Sequence, residues 1–101
     1  MQVDQKPSFR RIYKKLPARQ RYAVNNAIRE IIADPERGEA TVGDLARVRV
    51  YKFKIAGHLT LLAYNYTDNK HENKQDEIDD VLTLLALGGH ENFYRDLKRG
   101  K

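Results

Sequence analysis

Hydrophobic positions follow a helical period through the first third of the chain and alternate in its middle, so the pattern divides it into helices followed by strands. Phe9, Ile12, Tyr13 and Leu16 are spaced by three, four and seven residues and share one stripe of a helix, with Ser8 as its expected N-cap and Pro17 as its end. A second helix is predicted from about Ala18, with Val24, Ala27, Ile28, Ile31 and Ile32 on one face. Asp34-Pro35 stops it, because the residue before proline disfavours the helical region. The two helices read as a hairpin whose apolar side needs a sheet to cover it.

Gly38 and Gly43 mark a loop, and Arg47-Val48-Arg49-Val50-Tyr51-Lys52-Phe53-Lys54-Ile55 then alternates as a strand does. Val48 and Val50 share one face, whereas Tyr51, Phe53 and Ile55 share the other, which predicts a bulge or a change of packing partner at Val50-Tyr51. Lys52 and Lys54 then point together, away from the later core face. Ala56-Gly57-His58 turns the chain into a second strand, Leu59 to Tyr66, and Val81 to Leu87 is apolar on both faces, as a central strand should be. An antiparallel sheet is expected, with Met1 to Gln5 available as an added edge strand.

Residues 68 to 80 are polar and aperiodic and read as a long, flexible acidic hairpin loop. After Gly88-Gly89, residues His90 to Arg99 read as a short helix, with an acid in the first turn and bases in the last, docked by Phe93 and Leu97. The sum is one α+β domain over residues 1-101: two N-terminal helices packed on a small antiparallel β-sheet, with a short C-terminal helix.

Charge sharpens this picture. The net charge of +5 conceals an uneven distribution, because residues 68 to 80 hold six acids and two bases, leaving 17 bases and 8 acids elsewhere. Such a surface attracts polyanions, nucleic acid first and an acidic protein second. With no cysteine, there is no disulfide framework, thiolate metal site or cysteine nucleophile. No stretch approaches the roughly 20 apolar residues that span a membrane, and the N-terminus lacks the apolar run of a signal peptide, so a cytoplasmic protein is expected.

Candidate chemistry gathers near the C-terminus. His90 follows two glycines and has Tyr94 one helical turn on, and an imidazole with an ordinary pKa of about 6.5 suits proton transfer at neutral pH. A histidine at a helix N-terminus with Tyr94 as a packing residue fits the same spacing. Lys52 and Lys54, with Arg47, Arg49, Arg95, Lys98 and Arg99, form a set able to hold phosphates and stabilise charge on a reacting one, or simply a solvated basic surface. The bases Arg10, Arg11, Lys14, Lys15, Arg19 and Arg21 read as a polar helix face that an RNA surface can also use. His58 and His71 have no second ligand at metal spacing, and the acids at 76 to 80 lack the pattern of a calcium loop, so neither metal nor cofactor is expected.

The helical hairpin, the run Gly43-Asp44-Leu45-Ala46-Arg47-Val48-Arg49-Val50-Tyr51-Lys52-Phe53-Lys54, the strand Leu61-Leu62-Ala63-Tyr64 and the ending Leu84-Leu85-Ala86-Leu87-Gly88-Gly89-His90-Glu91-Asn92-Phe93-Tyr94 together resemble the RelE/ParE superfamily of type II toxins. The resemblance implies the RelE-like fold, a basic concave face and a cognate antitoxin as partner. It also implies one of two activities. RelE-like members cut mRNA in the ribosome without a metal, directing a ribose 2′-hydroxyl onto the adjacent phosphate, whereas ParE-like members poison DNA gyrase and are not nucleases. The glycine-X-histidine ending is similar to YafQ-like nucleases, which carries His90 over as acid/base, Tyr94 as its aromatic companion, and Lys52 and Lys54 more loosely as phosphate-gripping residues. An endoribonuclease acting on ribosome-bound mRNA is therefore the leading expectation; a gyrase inhibitor or an inactive binding module is the alternative.

Overall fold

The structure is a computed structural model and describes residues 1–41, 47–67, 80–89 and 93. Apart from Phe93, the expected C-terminal helix lies outside the described residues, as does the expected acidic loop at 68–80 apart from Asp80.

Pro7 opens the first helix without loss, because an N–H in the first turn has no intrahelical partner in any case. Helix α1 spans Pro7–Lys15, with Lys6 at its N-cap and Lys14 and Lys15 in the last turn, where the helix dipole favours them. Ser8 lies inside the helix rather than at its cap, and its hydroxyl donates to the Leu85 carbonyl at 2.6 Å. Helix α2 spans Ala18–Ala33 and ends at Asp34, whose backbone N–H returns to the Glu30 and Ile31 carbonyls. Tyr13 Oη donates to Asn25 Oδ1 at 2.8 Å and ties the helices together.

Among the described residues five strands form one sheet: β1 Gln2–Gln5, β2 Glu39–Ala40, β3 Arg49–Ile55, β4 His58–Thr67 and β5 Val81–Gly89. Their order is β1-β5-β4-β3-β2. The sheet is mixed, which corrects the antiparallel expectation: β1 runs parallel to β5, and the other pairings are antiparallel. The cause is topological. Chain leaving β1 passes through both helices and three strands before β5 arrives beside it, so no hairpin constrains their direction. Ala56 and Gly57, both at positive φ (50° and 83°), make the two-residue turn between β3 and β4.

The register of β3 on β4 is continuous from Arg49 to Ile55, so the change of face at Val50-Tyr51 is a change of packing partner, not a bulge. The irregularity lies instead in β5, where Ala63 opposes Ala86 and Tyr64 opposes Leu84, leaving Leu85 as the extra residue. That bulge moves the inward positions of β5 from Leu82 and Leu84 to Leu87. Ser8 caps the Leu85 carbonyl, which pins α1 to the bulge.

Two apolar clusters result. Under the helices, Phe9, Val24, Ala27 and Ile31 pack on Ile55, Leu62, Tyr64, Leu82, Leu84 and Leu87. On the opposite face Val50, Leu61, Ala63 and Ala86 pack with Phe93. Ile12 and Ile32, expected on the buried stripes, are each 38 % exposed, because each lies at the margin of its stripe.

Candidate nucleic-acid interface

Directly opposed residues of an antiparallel pair project to the same side, so register alone assembles the face away from the helices. Val50, Ala63 and Ala86 form one row across β3, β4 and β5; Lys52, Leu61 and Gly88 form the next, and Lys54 and Leu59 the one beyond. Lys52 and Lys54 stand about 7 Å apart along the strand. Val50, Leu61 and Ala63 form a buried floor because Phe93 covers them, whereas Leu59 is 41 % exposed beside Lys54. The Phe93 ring sits next to Gly88, where a Cβ would meet it in ordinary contact at 3.8 Å. The lysines thus stand at the rim of an apolar floor on which Phe93 is seated.

The two lysines differ. Lys52 Nζ lies 3.1 Å from Glu39 Oε1, whereas Lys54 is exposed and has no ion pair among the described residues. Glu39 opposes Val50, so it stands on the lysine-bearing side.

Arg49 faces the other way. It opposes Tyr64, on the helix side, and its Nη1 donates to the Glu36 carbonyl at 3.1 Å and the Gly38 carbonyl at 2.7 Å. Tyr64 completes this brace: its buried hydroxyl donates to the Pro35 carbonyl at 2.7 Å and accepts from the Gly38 N–H at 2.9 Å. Burial pushes the phenol above its ordinary value, and the Gly38 bond draws it back only in part, so it is a neutral donor throughout the physiological range. A side chain at Gly38 would meet Tyr64 Oη at 2.7 Å, so the close approach requires glycine.

Of the residues singled out from sequence, the structure brings Lys52 and Lys54 together, places Arg49 on the opposite side, and puts Arg47 in the turn before β3 with φ of 81°. His90, Tyr94, Arg95, Lys98 and Arg99 lie outside the described residues. Sequence reasoning missed Glu39, because nothing in a lone acid after a glycine marks it as the neighbour of a lysine thirteen positions on. Among the described residues no cluster of three or more histidine and acidic side chains is placed to hold a metal ion, and no helix is long and apolar enough to cross a membrane.

A two-helix layer on a five-stranded mixed sheet, seen here among the described residues, is also found in solved structures of toxins. The chain has this fold in common with the toxin–antitoxin complex RelBE of E. coli (TM-score 0.64, 17 % identity, 89 % of this chain and 96 % of that one). It is also similar to a doubly substituted E. coli RelE in the free state (TM-score 0.67, 15 % identity, 98 % and 90 %) and to isolated E. coli RelE (TM-score 0.60, 18 % identity, 97 % and 96 %). No curated protein matches by sequence. The family model described as "ParE-like toxin of type II bacterial toxin-antitoxin system" matches residues 3–98. The chain belongs to that family and is a toxin of the RelE/ParE superfamily.

Proposed function

We propose that this toxin acts on RNA, as a metal-independent endonuclease that cuts mRNA on the ribosome and so arrests translation. The observation that carries the reading is the pairing of Lys52 and Lys54 on the open face, with Phe93, three residues past His90, seated on that same face. In this reading the lysines hold the scissile phosphate and stabilise the charge that builds on it. The ribose 2′-oxygen bonds to phosphorus while its proton passes to a base; the bond to the 5′-oxygen breaks and that oxygen takes a proton. His90 moves a proton in this exchange, Tyr94 assists it or stacks on a base, and Arg47, Arg95, Lys98 and Arg99 add charge for the RNA backbone, whereas Arg49, expected among them, is held on the helix side by the Glu36 and Gly38 carbonyls. A cognate antitoxin restrains the toxin in the cytoplasm, a partnership supported by the family and by the E. coli RelBE complex.

A second reading, a non-enzymatic inhibitor of DNA gyrase, is favoured by one observation: Arg49 is engaged by two backbone carbonyls and Lys52 by Glu39, leaving only Lys54 of the three without such a partner among the described residues. Cleavage of mRNA on programmed ribosomes and gyrase supercoiling, measured side by side, separate the two. His90→Ala is expected to lower cleavage by about 100-fold or more, the scale of general acid–base catalysis. Undiminished cleavage in both His90→Ala and Tyr94→Phe sinks the assignment, and gyrase inhibition without cleavage selects the second reading.

A further inference from the structure

Strand β2 is only two residues long, yet its backbone is held from both sides. The Gly38 N–H donates to Tyr64 Oη, and the Gly38 carbonyl accepts from Arg49. Beyond Ala40, the Thr41 N–H and hydroxyl both donate to the Val48 carbonyl, at 3.0 and 2.8 Å. Glu39 therefore extends from a fixed strand onto the open face, where its carboxylate meets Lys52 at 3.1 Å. The side chains of Lys52 and Glu39 are 46 % and 75 % exposed, so the pair is solvated and exchangeable.

We propose that Glu39 is a built-in competitor for the phosphate that Lys52 binds, and so sets the affinity of the open face for RNA. The inference rests on the RNA-directed reading and deepens it. A carboxylate and a phosphate oxygen seek the same ammonium, which carries one charge. For a phosphate to take over the Lys52 ammonium, the Glu39 pair has to open. Lys54, two residues on and facing the same way, has no carboxylate at ion-pair distance among the described residues. The strand thus contains its own control.

The test is binding of a single-stranded RNA oligonucleotide with 2′-O-methyl riboses, which cannot be cut, to the full chain, followed by fluorescence anisotropy across a salt series. Glu39→Gln is expected to tighten binding about two- to fivefold, the scale of an exposed ion pair. It should also steepen the plot of log affinity against log salt by up to about 0.7, because no cation is taken up by a released carboxylate. Combined with Lys52→Ala, the same change should gain nothing. Equal tightening with and without Lys52 would reduce the effect to net charge and overturn the proposal, as would no tightening at all. Slower cleavage of natural RNA by Glu39→Gln at unchanged affinity would make Glu39 a proton-handling group and overturn it too. If Lys52→Ala and Lys54→Ala both weaken binding while Glu39→Gln changes nothing, this inference alone fails; if neither lysine matters, the RNA-directed reading fails with it. Should Glu39→Gln lower the unfolding midpoint, Glu39→Thr, a stronger strand former, serves the same test.

Discussion

The two faces of the sheet put the same kinds of residue to opposite uses. Under the helices, Tyr64 and Arg49 are held by the carbonyls and N–H of residues 35–38, Tyr13 by Asn25 and Ser8 by the bulge at Leu85. On the open face the polar groups ring an apolar floor and remain solvated, with Lys52 in an exchangeable pair and Lys54 exposed. Arg49 and Lys52 are three residues apart on β3 and both basic, yet one closes the fold and the other is available to a partner. Strand parity, not proximity in sequence, separates the two roles.

The comparison breaks most visibly at Tyr64. Tyr64→Ala empties a fully buried ring site and leaves the Gly38 N–H without its acceptor, and is expected to cost about 3–5 kcal/mol in a denaturant titration. Gly38→Ala forces a methyl against the Tyr64 hydroxyl and should cost about 1–3 kcal/mol, less when Tyr64→Phe has removed the nearest atom. Tyr64→Phe alone removes both hydroxyl bonds, for about 1–2 kcal/mol at neutral pH. The folded phenol has a raised pKa, so its contribution is complete below the unfolded value of about 10 and declines as pH rises through the folded one. The gap between wild type and Tyr64→Phe should accordingly narrow above about pH 10, and a constant gap would mean that the phenol is not held neutral by burial. The smallest effect sharpens the contrast between faces. Lys54→Ala should shift stability by less than about 0.5 kcal/mol while weakening RNA binding, whereas Arg49→Ala should cost about 1 kcal/mol, measured by thermal unfolding.

Much of the fold was legible in the sequence because its signals are local. The boundaries at Pro17 and Asp34-Pro35, the turn at Ala56-Gly57, the edge strand near Gln2 and the shared face of Lys52 and Lys54 follow from steric rules and period. What escaped depends on residues distant in sequence. Ser8 suits an N-cap, but nothing local reveals the bulge whose carbonyl it satisfies 77 positions away. Alternation shows which side of β3 a residue takes, but not what lies there, so Arg49 read as one more surface base and Glu39 went unremarked. The parallel direction of β1 was equally hidden, since periodicity is the same for either direction. Of the candidate site, the strand lysines were placed together; the histidine end lies outside the described residues.

The parallel pairing of β1 with β5 also orders events in time. Gln2 and Val81 are register partners, so the segment synthesised early waits for one synthesised late. Helix α1 waits as well, because Ser8 and Lys6 bond to β5 carbonyls. Loops of this length close slowly, and the contacts that reward closure come only afterwards. A growing chain that ends before β5 has no partner for β1 and no seat for α1, which ties completion of this fold to the synthesis of β5.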